Sequence, residues 1–491
     1  MPSITLRSVI RPPLPTAAGR AAALMLIAAA VLAGCGRPRA LDSGAEAGAP
    51  AAANVVLVVV DTLRPDHLGC YGYERDTSPT IDRLAARGVR FESVQATSPW
   101  TVPSTASILT SRYPAEHGAE VTGDVRNLNT QPPNQIRDDV RMLSELLSER
   151  GFSTALLSAN PFLFGRFKSG FGHAVVERMP ADRLTAETIA WIDRLPAGAR
   201  FFAHVQYMDL HQPLEPPPPY WSLFATPGSG SRDSRHSEWA FAQGEHLETA
   251  AFHAFRENRV ALYDGAVRFV DDQIGVLLAA LADRGLESST LLLVTSDHGE
   301  EFWDHAEMGA AMGGDPRGYY GIGHGHAFFQ ELLHVPLVVA GPGVSGATTV
   351  AGPASLLDIA PTVLGRVEIP TPPEMHGLDL GPALAPRSAG TVRLAPRAMF
   401  ASSPAYGPEA WAMLSGGRKL IVRSDGHRLL FDLSADPKER DNLSVAQSQL
   451  VESYEAELNR HRAAVEDGRP TSSMEIDDQL HDALRVLGYA E

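Results

Sequence analysis

The feature that most constrains the fold is a series of short apolar runs, each long enough for one strand, separated by helix-forming sequence. Residues 54–60, Asn-Val-Val-Leu-Val-Val-Val, show no polar alternation, the pattern of a strand buried on both faces. Similar runs recur at 153–158, 201–207, 290–295 and 335–340. Between them lie helical stretches. Ser78-Pro79 opens one that runs to Arg87 and stops at Gly88, and 139–150, 185–195, 249–284 and 356–365 carry others. Strand and helix trading places predicts an α/β fold, a mostly parallel central sheet with helices on both faces. Ligands gather beyond the carboxyl ends of such strands. Asp61, His211 and Asp297 all fall just past expected strand ends.

The 491 residues allow one large domain and a smaller one. The main domain is expected over 54–385, with two insertions, a Pro-, Gly- and Ser-containing loop or lid at 212–248 and a Gly-rich stretch at 309–323. From 386 the pattern changes to strand-like runs at 410–414, 419–423 and 429–433, then a polar helix from about 445. This predicts a small C-terminal α+β subdomain over 386–491.

Residues 1–34 read as an export signal: Arg7, Arg11 and Arg20 are the only charged side chains, and an apolar run follows over 21–33. The segment ends Leu32-Ala33-Gly34-Cys35, which resembles the lipobox of bacterial lipoproteins. That resemblance implies cleavage before Cys35 and acylation of its thiol and new amine. The protein is then exported and lipid-anchored in the cell envelope, on a periplasmic or extracellular face. Residues 35–53 read as a flexible tether. With Cys35 lipidated, Cys70 has no disulfide partner and reads as a small buried residue. The formal net charge of −16 gives nucleic acid no overall attraction, and none is expected as a partner. An anionic substrate needs a local cluster of cations, histidines or metal.

Such a cluster is visible. In Thr101-Val102-Pro103-Ser104, Pro103 suits the first helical position, which puts Thr101 at a helix N-terminus, where free N–H groups favour an anion. The hydroxyl there serves either as an N-cap or as a nucleophile. Asp297-His298-Gly299 follows an expected strand, and adjacent Asp and His can reach one ion when the backbone turns at a glycine. With Asp61 and the Thr101 hydroxyl, a divalent ion has four mostly hard donors and lowers the pKa of the hydroxyl.

The chain resembles the sulfatase family of the alkaline phosphatase superfamily. The resemblance rests on residues 60–72 (Val-Asp-Thr-Leu-Arg-Pro-Asp-His-Leu-Gly-Cys-Tyr-Gly), Thr101-Val102-Pro103-Ser104, residues 109–114 and residues 207–213. It continues through residues 295–300 (Thr-Ser-Asp-His-Gly-Glu), His334-Val335-Pro336-Leu337 and residues 430–437. It implies an alkaline-phosphatase-like sheet and a metal held by Asp61, Thr101, Asp297 and His298. Calcium comes first among the ions, with magnesium, manganese or zinc as alternatives. It implies Thr101 as nucleophile, His211 as a substrate-binding or leaving-group histidine, and His324 or His326 facing the substrate.

Several positions depart from the family. Sulfatases usually carry Cys or Ser, converted to formylglycine, where Thr101 stands, and Arg where Thr105 stands. Oxidising a threonine would give a ketone, so no formylglycine is expected. Thr62 replaces the second residue of the usual Asp pair, and Ser158-Ala159-Asn160 stands where Lys-x-His is expected. Asn160 is a substitute donor to substrate oxygens. Arg112 is a candidate substrate-binding cation, with a structural ion pair as its alternative. Asp209 with His211, or Asp304 with His305, offers a second metal site. The expected function is a metal-dependent hydrolase of sulfuric or phosphoric esters with Thr101 as nucleophile, acting on a small-molecule, glycan or lipid ester. The alternatives are a phosphoethanolamine- or glycerophosphate-type transferase, or a non-catalytic sulfatase-like binding protein.

Overall fold

In chain order the first strands are β1 (Asn54–Val60), β2 (Val89–Gln95), β3 (Ser153–Ser158), β4 (His173–Val176), β5 (Phe201–Tyr207) and β6 (Thr290–Thr295). A small pair follows, β7 (Glu301–Phe302) and β8 (Ile322–Gly323), then β9 (His334–Ala340), β10 (Thr348–Ser355) and β11 (Thr391–Arg393). Nine of these form one sheet in the order β11-β10-β2-β9-β6-β1-β5-β3-β4. All neighbours run parallel except at β9, which is antiparallel to both β2 and β6. The computed structural model describes residues 52–121, 123, 128, 131–225, 247–319, 321–385, 390–466, 471–475 and 481. The signal segment, Cys35 and the tether to residue 51 lie outside the described residues, as do 226–246 of the first insertion.

β1 lies inside the sheet, between β5 and β6, and every residue of it is buried. Its side chains divide between two cores because successive residues point to opposite faces. Val56, Val58 and Val60 pack with helices α3 (Ala181–Asp193) and α4 (Ala250–Asp283); Val55, Leu57 and Val59 pack with α5 (Ile359–Arg366). This explains the missing alternation. Two further helices precede these, α1 (Pro79–Arg87), with Pro79 at its first position, and α2 (Thr101–Thr110). α4 begins where Thr249 accepts the N–H of Phe252 at 3.2 Å. The helix expected over 139–150 is only Leu143–Ser148, because the Glu145 carboxylate accepts the Met142 N–H at 2.9 Å and fixes the start there.

The C-terminal sheet is an antiparallel meander of β12 (Met399–Ser402), β13 (Ala410–Ser415), β14 (Arg418–Arg423) and β15 (Arg428–Asp432). Met413, Leu420 and Leu430 bury one face against Val451 and Leu458 of α6 (Ser448–Val465). Among the described residues no helix is long and apolar enough to cross a membrane. The register is what positions the site: Val60 pairs with Tyr207 and Val59 with Thr295, so Asp61, His211 and Asp297 leave the sheet at one edge.

Candidate active site

Trp100 caps α2 in an extended conformation, and its indole N–H donates to the Ser403 carbonyl at 2.8 Å. Thr101 is therefore the first helical residue and Pro103 the third, not the first as expected. Proline is tolerated there because first-turn N–H groups have no intrahelical acceptor. The Thr101 hydroxyl is fully buried. Its Oγ1 lies 3.2 Å from His298 Nε2, 3.4 Å from Asp61 Oδ2 and 3.3 Å from Asn160 Nδ2.

Asp61, Asp297 and His298 come together in the same place, each 0 % exposed. His298 Nε2 is 3.6 Å from Asp61 Oδ1 and 3.7 Å from Asp297 Oδ2. His298 Nδ1 donates to the Gly299 carbonyl at 2.9 Å, which leaves the Nε2 lone pair facing the two carboxylates. Burial lowers the pKa of His298 and keeps the ring neutral. Burial, reinforced by Asp297, pushes Asp61 up to about 8, and burial pushes Asp297 up to about 7. Asp61 Oδ1 is buried with no hydrogen-bond partner. Two adjacent buried carboxylates with an orphaned oxygen are costly unless a cation satisfies them. The donor set fits a divalent ion. Thr62 adds no donor: its φ of 62° is unusual for a β-branched residue, and its hydroxyl turns back to the Asp61 carbonyl at 2.7 Å.

The histidines line one side. The His324 ring centroid is 4.4 Å from that of His298 and 4.9 Å from that of His211. His211 Nδ1 donates to the Gln212 carbonyl at 2.8 Å, and burial, then His324, takes its pKa down to about 3. His324 Nδ1 lies 3.1 Å from Glu300 Oε2. His326 turns elsewhere, its Nε2 2.8 Å from Glu301 Oε2. Asn160 joins the centre, donating to Asp61 Oδ2 at 2.6 Å. Arg112 does not. It follows the far end of α2, about 15 Å along the helix from Thr101 at 1.5 Å per residue, and faces Glu374 at 4.0 Å.

Neither candidate for a second metal has the required form. Asp209 Oδ1 accepts the Ala181 N–H at 3.1 Å and so holds the start of α3. Asp304 pairs with Arg64 at 2.8 Å. His305 does approach Glu301 and Glu331, but its two nitrogens face Glu331 at 2.5 Å and the Lys438 carbonyl at 3.0 Å. Burial opposes a charge on His305, but the Glu331 carboxylate outweighs it and raises the pKa to about 9, and both ring nitrogens are taken by these partners.

Other site residues were not foreseen. Gln206 Nε2 donates to Asp297 Oδ2 at 3.1 Å, and its Oε1 lies 3.2 Å from His204 Nε2. Ser104 Oγ donates to the Asp297 carbonyl at 2.6 Å, while Ser296 Oγ donates to the His298 carbonyl at 2.6 Å and accepts the Leu63 N–H. The signal for Gln206 was available: two polar residues, 204 and 206, alternate on one face of an otherwise apolar strand. Gly299 also has a local reason, since a Cβ there would collide with the Glu331 backbone oxygen.

Residues 53–369 match the sulfatase family model. The arylsulfatase of Clostridium perfringens is 24 % identical over 455 residues, covering 79 % of this chain and 90 % of that protein. The steryl-sulfatase of Rattus norvegicus is 25 % identical over 86 % of this chain and 91 % of its own. Among solved structures, the phosphonate monoester hydrolase of Agrobacterium radiobacter has a TM-score of 0.63 at 20 % identity, covering 87 % of this chain and 98 % of that one. A protein in complex with its substrate D-glucosamine-2-N,6-O-disulfate gives 0.67 at 18 % identity, covering 85 % and 99 %. The α/β fold with its small C-terminal sheet matches these structures. The chain belongs to the sulfatase family of sulfuric and phosphoric ester hydrolases.

Proposed function

We propose that the chain is a metal-dependent hydrolase of sulfuric or phosphoric esters in which Thr101 is the nucleophile. The observation that carries this is the position of Thr101 Oγ1, at the start of α2 and within 3.4 Å of both His298 Nε2 and Asp61 Oδ2. Asp61, Asp297, His298 and Thr101 would hold the ion. When bound, it would offset charge on the substrate oxygens and favour the alkoxide of Thr101. An imidazole among the donors supports manganese or zinc over calcium, which prefers six to eight oxygens.

The residues divide the chemistry. Thr101 Oγ forms a bond to sulfur or phosphorus as the bond to the alcohol oxygen breaks. The free N–H groups at the start of α2 receive the equatorial oxygens. His211 positions the alcohol half of the ester and does not protonate it, because its Nδ1–H is committed to the Gln212 carbonyl and burial keeps the ring neutral. Water then attacks the same sulfur or phosphorus, breaks its bond to Oγ and restores the hydroxyl. A threonine ester cannot collapse to a carbonyl, so this second displacement is required. Asn160 Nδ2 orients Asp61 and Thr101 together, and His324 completes the wall. The substrate is a small-molecule, glycan or lipid ester, in keeping with the relatives. We also propose that the chain is exported and anchored through lipid on Cys35.

The test is a panel of nitrophenyl sulfate, phosphate, phosphodiester and phosphonate esters, with manganese, zinc, magnesium or calcium and with chelator. Metal-dependent turnover that Thr101→Ala abolishes supports the proposal. Failure with every ester and every ion would favour a binding protein.

A further inference from the structure

Trp100 precedes Thr101 and Gly325 follows His324, and both are tied to the loop that joins β12 to β13. The Ser403 carbonyl accepts the Trp100 indole N–H at 2.8 Å and the Ser98 hydroxyl at 2.9 Å. The Gly325 carbonyl accepts the N–H groups of Ala405 at 2.7 Å and Tyr406 at 3.0 Å, while the Gly325 N–H donates to the Pro99 carbonyl at 3.0 Å. Segments far apart in sequence are thereby closed into one ring of hydrogen bonds next to Thr101.

The backbone of this ring is under constraint. Ser403 has a φ of 61°, uncommon for any residue but glycine and kept only where the surroundings hold it. Gly325 has a φ of 83°, and a Cβ there would come within 2.8 Å of the Ala405 Cβ. Trp100 is 0 % exposed, yet it offers no side-chain cap to the first turn of α2. A helix start without a cap takes its direction from other contacts, and here the anchored indole supplies them. The Trp100 ring also packs edge-on against Phe162, with 6.2 Å between centroids, and the Phe162 N–H holds Asn160 Oδ1. One side chain thus braces both the helix that carries Thr101 and the turn that carries Asn160.

We infer that Trp100 is a positioning residue for the reaction: its indole N–H, fixed on the Ser403 carbonyl, holds the start of α2 so that Thr101 Oγ1 meets the ester in line. The loop that enters the C-terminal sheet then supports the site as well as the fold. The inference rests on the reading of Thr101 as nucleophile and adds what keeps it aligned. Displacement needs the attacking oxygen close and aligned, and a misplacement of about 1 Å costs on the order of 100-fold. The indole N–H meets neither substrate nor ion, so its loss should fall on the chemical step alone.

The experiment uses the full chain with manganese. Trp100 is replaced by Phe and, through site-specific incorporation, by benzothienylalanine, which keeps the shape of the indole with sulfur in place of N–H. Turnover of a nitrophenyl ester, manganese affinity by equilibrium dialysis and hydrogen exchange at the first turn of α2 are measured. The expected result in both proteins is a fall in kcat of about 10- to 100-fold, with KM and manganese affinity unchanged and faster exchange at that turn. Ser98→Ala, which leaves the Trp100 bond in place, should cost kcat much less. A parental kcat in the benzothienylalanine protein, beside an inactive Thr101→Ala, overturns the role of Trp100 alone. An equal loss of kcat and manganese affinity also overturns it, because Trp100 would then only fill the core. Unchanged exchange in the benzothienylalanine protein overturns it even if no ester turns over. Thr101→Ala as fast as the parent overturns the nucleophile reading, and the positioning role falls with it.

Discussion

The side-chain amide of Asn160 donates to Asp61 Oδ2 at 2.6 Å, and the same nitrogen lies 3.3 Å from Thr101 Oγ1. One side chain at the end of β3 therefore fixes a carboxylate at the end of β1 against a hydroxyl at the start of α2. Asn160 is itself held, because its Oδ1 accepts the Phe162 N–H at 2.9 Å. Replacing Asn160 with Ala should lower metal affinity or kcat/KM about 10- to 100-fold, the usual cost of losing a residue that orients a ligand. Metal titration and steady-state kinetics check this, and the melting temperature of the metal-free variant should stay close to that of the parent.

Gln206 makes a parallel case on the other carboxylate. Its amide N–H bond to Asp297 Oδ2 at 3.1 Å is lost in Gln206→Leu, a change that keeps the strand apolar. Metal binding should weaken about 10- to 100-fold. Equilibrium dialysis against manganese or zinc measures it directly, independent of any substrate.

Acidity should matter most to the metal-free protein. Asp61 at about 8 and Asp297 at about 7 both titrate far above their ordinary value of 3.8, chiefly because burial disfavours their charged forms. Between pH 4 and 8 the folded state therefore holds more protons than the unfolded chain, so stability must fall as pH rises through this window. In chelator, the melting temperature should drop from pH 5 to pH 8. Added divalent ion should restore it more at pH 8, where fewer protons must be displaced. Thermal unfolding at the two pH values, with and without ion, checks the sign.

Thr101→Ser retains a hydroxyl at the first position of α2 and should keep activity within about tenfold, whereas Thr101→Ala should lose about a thousandfold or more. Parallel kinetics on one ester separate a nucleophile from a residue that merely fills space.

Much of the fold was legible because the central strands are buried on both faces. β1, β3, β5 and β6 announce themselves as uninterrupted apolar runs, and α4 shows both its length and its Thr249 cap. β2, Val-Arg-Phe-Glu-Ser-Val-Gln, was hidden by polar residues on its partly exposed face, and the antiparallel sense of β9 depends on pairing partners distant in sequence. At the site, Asp61, Thr101, Asp297 and His298 were readable from their places at strand ends and a helix start. Their support was not. Ser104, Gln206 and Glu300 act through side-chain contacts that only the three-dimensional register creates, and for Arg112 the structure shows the alternative, an ion pair with Glu374 beyond the far end of α2.

The measurement that most directly tests Thr101 as nucleophile is mass analysis of the protein quenched during turnover with a slow ester and manganese or zinc. A sulfo or phosphoryl adduct on the peptide containing Thr101, absent with chelator and absent from Thr101→Ala, is the expected result. Steady turnover with no adduct on Thr101 at any quench time, and with Thr101→Ala as fast as the parent, would contradict it.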